Sequence, residues 1–193
     1  MLPVLLLSSQ PVLADGIYYG AGLAYSDAES LEPSEGDGAS SDSYFGLGAT
    51  VGYRWNQPTS FFAAEADFDL PLDTDFEDSG ASCSTDADTA YYCTHTATLR
   101  LRGIAGVPMG GFEGFVSGGL MMMSGDGAID SDVQDRGVNT GYTVGLGLQQ
   151  DLGGSMLRYE LIYDNAENTS TKPGGIYEPS FEALTAKVTF LFN

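Results

Sequence analysis

Along much of the chain apolar side chains recur at every second position, and the final stretch, 181–193, shows the rule most clearly. Leu184, Ala186, Val188, Phe190 and Phe192 share one face, and Ala183, Thr185, Lys187, Thr189 and Leu191 share the other. A period of two predicts a strand, because successive side chains leave a pleated backbone on opposite sides. Seven more segments follow the same alternation: 16–26, 43–55, 60–70, 94–106, 112–123, 138–150 and 155–163. In 43–55, Phe45, Leu47, Ala49, Val51, Tyr53 and Trp55 oppose Tyr44, Gly46, Gly48, Thr50, Gly52 and Arg54. In 60–70, Phe62, Ala64, Ala66, Phe68 and Leu70 oppose Ala63, Glu65, Asp67 and Asp69. One face of each strand is continuously apolar, and the other carries glycine, hydroxyls and full charges.

That distribution runs opposite to the one a water-soluble sheet requires, where apolar side chains turn inward and charges outward. It fits strands with hydrocarbon outside and a crowded polar interior. Roughly nine to thirteen residues per strand suits a tilted membrane crossing. The connections alternate in length. Turns at 56–59, 108–111 and 151–154 are short, whereas 27–42, 71–93, 126–137 and 164–180 are long and acidic. An up-and-down meander places all long connections on one rim and all short turns on the other. The predicted fold is therefore all-β: an eight-stranded antiparallel up-and-down transmembrane barrel with four long acidic loops on one rim and three short turns on the other. A soluble lipocalin-like carrier is the rival, and it would need an apolar cavity where this register puts charges.

The N-terminal residues predict a targeting segment rather than a strand. Leu2 to Leu13 form an apolar run, and Val12-Leu13-Ala14 resembles a small-residue cleavage site, so 1–14 reads as a secretory signal peptide (expected to start further upstream, since basic residues are missing before the apolar run) and 15–193 as the barrel. A buried first strand or helix is the alternative.

Charge refines the picture. The chain of 193 residues carries a formal net charge of −20 with only seven basic residues, which argues against a nucleic-acid partner, since phosphate contacts need clustered Lys and Arg. Five of the seven, Arg54, Arg100, Arg102, Arg158 and Lys187, fall on the inward register, as do Glu65, Asp67, Glu113 and Glu160. Lone buried charges are costly, so these nine residues are expected to form a lumen ion-pair network. Arg100 and Arg102 should lie near Glu65 and Asp67, and Arg158 and Glu160 should pair with Lys187 or across the barrel. An ion path or a catalytic site is the sharper reading of such a cluster. Structural filling is the plainer one, because an eight-stranded interior is just wide enough for side chains. Outward aromatics predict girdles at the two lipid interfaces: Tyr19, Tyr53, Trp55, Phe62, Phe112, Phe190 and Phe192 at the short-turn rim, and Tyr25, Phe45, Phe68, Tyr142 and Tyr163 at the loop rim.

Across the long connections 19 acidic residues stand against Arg136 and Lys172. A hydrated, self-repelling surface explains them. Capture of Ca²⁺ or Mg²⁺ is the alternative, with Asp126, Asp130, Asp132 and Asp135 the densest candidates, although they lack EF-hand spacing. No other cofactor is expected. Cys83 and Cys93, the only cysteines, read as a disulfide in an exported chain, worth about 2–3 kcal/mol by loop entropy. His95, the only histidine, is not followed by a serine two residues on, and no enzymatic activity is expected.

The strand GIYYGAGLAYS, the strand–turn pattern and the terminal AKVTFLF resemble the bacterial outer-membrane eight-stranded barrels: the OmpA transmembrane domain, OmpX and the porin-family barrel proteins. That resemblance implies an outer-membrane location, contact with lipid and lipopolysaccharide, recognition of the last strand by the barrel-assembly machinery, and a monomer. It implies a non-enzymatic structural or surface-interaction role. A narrow channel for small solutes or hydrophobic ligands is the alternative, and a lipid-modifying outer-membrane enzyme is more distant.

Overall fold

The computed structural model describes residues 15–31, 39–78, 81–82, 91–129, 132–167 and 180–193. The proposed signal peptide and Cys83 lie outside these residues, and so does Asp130. Of Asp126, Asp132, Asp135 and Cys93 only the backbone is described. The described residues form ten strands: β1 (Gly16–Leu31), β2 (Ala39–Asn56), β3 (Phe61–Pro71), the two-residue β4 (Glu77–Asp78) and β5 (Ala81–Ser82), then β6 (Tyr91–Met109), β7 (Phe112–Ile129), β8 (Asp132–Asp151), β9 (Ser155–Glu167) and β10 (Ser180–Phe192).

Eight of them close a cylinder. Each long strand pairs antiparallel with its sequence neighbour, with β4 and β5 standing aside from this order, and β1 pairs with both β2 and β10. Closure removes the free edges that an open sheet would expose to lipid. The register Val188↔Leu23 and Leu23↔Leu47 puts the apolar rows side by side on the outer wall. There Leu23, Leu101, Val116 and Leu146 are each more than half exposed, as a hydrocarbon-facing surface requires.

The three short turns share one rim. Gly110 (φ 76°), Gly153 (φ 86°) and Gly154 (φ 108°) adopt left-handed backbone that a side chain would strain. Asp151 Oδ1 accepts a 2.6 Å hydrogen bond from the Gly153 amide, which tightens the turn. At the opposite rim the strands extend beyond the alternation that predicted them. β7 reaches Ile129 and β8 begins at Asp132, so the stretch expected to be a loop at 126–137 is largely a protruding hairpin. Ladder hydrogen bonds need no apolar face, and above the membrane both sides of a strand can be wet. The apolar signal therefore ends where the hydrocarbon does, at Tyr25, Phe45, Leu70, Leu99, Met122, Tyr142, Tyr163 and Leu184.

Candidate functional site: the filled lumen

The inward residues stack in three layers. Nearest the short turns, Tyr18, Phe61, Ala63, Ile104, Phe115, Met156 and Leu191 form an apolar floor. Glycine makes room for its aromatics: a Cβ at Gly52 would meet the Tyr18 ring at 2.5 Å, and side chains at Gly106 or Gly147 would strike Phe61 or Phe115. Within this floor Arg54 gives a bidentate pair to Glu113 (2.7 and 2.8 Å) and lies 3.9 Å over the Phe61 ring. Gln149 donates to the same carboxylate at 2.7 Å.

The middle layer is ionic. Glu65 accepts from Arg102 (2.5 Å), from Arg158 on the far wall (2.6 Å) and from the Tyr18 hydroxyl (2.7 Å). Arg102 also reaches Glu160 across the lumen at 2.8 Å, and Ser117 donates to the same oxygen at 3.0 Å. Arg158 completes its contacts with Gln149 at 3.1 Å. Above them Lys187 bridges Asp67 (2.7 Å) and Asp69 (2.5 Å). Arg100 gathers Asp67 (3.0 Å), Asp69 and Asp164 (2.6 Å). Thr50 donates to Asp67 at 2.7 Å.

The structure brings Arg54, Glu65, Asp67, Arg100, Arg102, Glu113, Arg158, Glu160 and Lys187 together inside the barrel, each under a tenth exposed. Lys187 stands beside Glu160 in the β10–β9 register but turns to Asp67 and Asp69. Six participants lie outside the nine expected from the sequence: the neutral Tyr18, Thr50, Ser117 and Gln149, and the acids Asp69 and Asp164. Asp69 shares the inward register of Glu65 and Asp67 at the upper end of its strand. Gln149, likewise inward, has no charge to mark it. Asp164 falls in the fourth loop by sequence, because the apolar alternation stops at Tyr163. It is 1% exposed and bound to Arg100, and the inward Ala166 two residues on marks the continuing strand.

The third layer is a roof of Ala28, Tyr44, Phe76, Met121, Met123, Ala166, Phe181 and Ala183. His95 joins it through an irregularity. The β6–β7 register slips between His95 and Ala97, and this bulge turns inward a residue that strict alternation would leave on the outer face. His95 Nδ1 lies 2.5 Å from the Tyr44 hydroxyl, and Nε2 lies 2.8 Å from Thr98 Oγ1. Burial pushes the imidazole pKa down to about 4.

A cavity of about 10 Å³ separates roof from ionic layer, bounded by Asp69, His95, Arg100, Asp164 and Thr185 among others. It holds one water at most. A groove of about 870 Å³ runs along the outer wall past Leu23, Phe45, Leu146, Leu161 and Val188, where acyl chains would lie. Of the outward aromatics, Tyr19, Tyr53, Trp55, Phe62, Phe112, Phe190 and Phe192 are exposed toward the short-turn rim, and Tyr25, Phe45, Phe68 and Tyr142 toward the other. Tyr163, at that same rim, is half-buried. Tyr19 stacks on Phe192 at 5.6 Å across the closing seam. Among the described residues no group of three or more His, Cys, Asp or Glu is arranged to hold a metal ion.

A closed antiparallel cylinder, apolar outside and packed with ion pairs inside, defines an integral membrane β-barrel. The family model for the outer membrane protein beta-barrel domain matches residues 1–170, and the chain belongs to that family, whose place is the bacterial outer membrane. No curated protein matches the chain. Among solved structures it is similar to Ail, the attachment invasion locus protein of Yersinia pestis, at 9% identity and a TM-score of 0.52, covering 93% of this chain and 100% of that one. It is similar also to Neisserial surface protein A, at 13% identity and a TM-score of 0.50, covering 90% and 96%. At such identities the likeness speaks to the fold alone.

Proposed function

We propose that this barrel is a non-conducting, non-enzymatic component of the outer membrane that anchors an acidic surface at the cell exterior, with a structural or surface-interaction role. The observation that carries the reading is the occupied lumen: five cationic and six anionic side chains, mutually paired and capped by apolar layers at both ends, with a gap of only about 10 Å³ between the ionic layer and the roof. A conducting path would have to break several buried ion pairs, each costly to separate. His95 is likewise committed to Tyr44 and Thr98, with no serine hydroxyl in its hydrogen bonds, which supports a packing role over a hydrolytic one.

Ail has been crystallised with the heparin analogue sucrose octasulfate. With a net charge of −20, this chain is suited instead to basic partners, or to lipopolysaccharide phosphates bridged by divalent cations. The same reading includes export with 1–14 removed, recognition of 181–193 by the assembly machinery, a monomeric state and a Cys83–Cys93 disulfide. Planar-bilayer recording is the decisive test: no steady openings are expected from the purified barrel. Steady openings whose size changes with Arg100→Ala would replace this reading with that of a narrow channel. A lipid A mass profile that shifts on expression, and reverts with His95→Ala, would replace it with that of an enzyme.

A further inference from the structure

Between β3 and β4 the chain runs on between β2 and β6 and turns Phe76 into the barrel. The Leu72 amide donates to the Phe45 carbonyl at 2.9 Å, and the Asp75 amide donates to Asp42 Oδ2 at 2.9 Å. Thr74 meets the backbone of the bulge: its Oγ1 accepts from the His95 amide at 3.0 Å and donates to the His95 carbonyl at 3.1 Å. Phe76 is thereby lowered into the roof, fully buried, with its ring 6.4 Å from that of Tyr44. His95 holds the other side of Tyr44, 5.3 Å between ring centroids, and also packs on Phe181 at 5.2 Å.

We propose that residues 72–76 are an acid-released lid over the barrel mouth, with Phe76 as its stopper and His95 as its latch. The latch works through hydrogen-bond direction. A neutral imidazole donates through one nitrogen and accepts through the other, so one of the two hydroxyls, Tyr44 or Thr98, donates to it. Protonation makes both nitrogens donors, and that hydroxyl must turn its hydrogen away within an apolar layer. The new charge also faces the Arg100 guanidinium across the small cavity. The other charged groups toward this side are Asp69 on β3 and Asp164 on β9, both already bound to Arg100, and Asp42 on β2, which is engaged with Asp75. The described residues of β1, β7 and β10 in the roof bring only uncharged side chains: Ser26, Ala28, Met121, Met123, Phe181 and Thr185.

The sign follows from the lowered pKa of about 4 in the closed state against about 6.5 for an exposed histidine. The closed lid is fully favoured above about pH 6.5. Below that, the open-to-closed ratio grows by up to about tenfold per pH unit, levelling off near pH 4.

Hydrogen exchange of the full barrel in lipid nanodiscs tests this, with rates corrected for the intrinsic effect of pH. Protection of 72–76 and 94–96 is expected to fall by at least about tenfold between pH 7.5 and 4.5, and His95→Gln, which cannot take the proton, is expected to change less than about twofold. Unchanged protection in the wild type, or an equal fall in His95→Gln, would overturn the proposal, the latter by assigning the opening to carboxylates. Because the chain has a single histidine, its ring proton signal can be titrated in the wild type whether or not the variant folds. A midpoint below about 5 is expected, and one near 6.5 would overturn the latch.

Discussion

Glu65 shows how tightly the lumen side chains depend on one another. It accepts hydrogen bonds from Arg102, Arg158 and Tyr18, so Glu65→Ala takes a carboxylate from two buried guanidinium groups at once, leaving Arg102 with Glu160 and Arg158 with the neutral Gln149. Urea titration of the barrel refolded in lipid vesicles should show a loss of about 3–5 kcal/mol, the range for breaking a buried pair from one side. Glu65→Gln, which still accepts hydrogen bonds, should lose less. Part of this was legible from the sequence. The inward register of Glu65, Asp67, Arg100 and Arg102 follows from alternation, and neighbouring strands bring Glu65 opposite Arg102. The contact from Arg158 was not legible, because it spans the lumen between strands that never pair. A second residue-scale expectation concerns the cysteines. Intact protein treated with a thiol alkylating agent should gain no mass until it is reduced, after which two adducts should appear. Alkylation without reduction would remove the disulfide.

At the scale of the element, each strand is read by two solvents. Val188, midway along the outward face of β10, is 42% exposed to what is hydrocarbon in the membrane. Val188→Arg should therefore cost about 2–4 kcal/mol in vesicles, whereas Ser43→Arg, above the aromatic belt, should cost no more than about 1. Equal effects at the two sites would contradict the membrane placement of the wall. Strand existence and facing were legible, since the lipid and the lumen impose opposite chemistry on alternate residues. Strand ends were not. The upper ends of β7 and β8, beyond Met123 and before Val138, do not keep the apolar alternation, and only their mutual hydrogen bonding reveals them. The bulge at His95 was equally silent in the sequence, because nothing in Thr94-His95-Thr96-Ala97 breaks the pattern until β7 fixes the register.

For the whole molecule, closure makes unfolding a collective event: no strand leaves without opening two ladders. Unboiled protein should migrate anomalously in detergent gels and shift on heating, and identical migration before and after boiling would count against an intact barrel. Salt should act asymmetrically. The lumen pairs are buried and weakly screened, whereas the net charge of −20 resides almost entirely elsewhere in the chain. Raising NaCl from about 0.05 to 1 M should leave the heating transition unchanged or raise it, since screening relieves repulsion on the acidic rim more than it weakens the core. A pronounced fall would mean that exposed pairs hold the fold. The sequence by itself determined the sheet, its inside-out polarity and the identity of most lumen charges, because alternation is a local consequence of backbone geometry and two contrasting surroundings. Only the tertiary structure decided which charges meet across the lumen, where the strands end above the membrane, and that Thr74 bonds to the His95 backbone while Phe76 packs into the roof. Those outcomes depend on closure and stagger, which bring together residues that no local period relates.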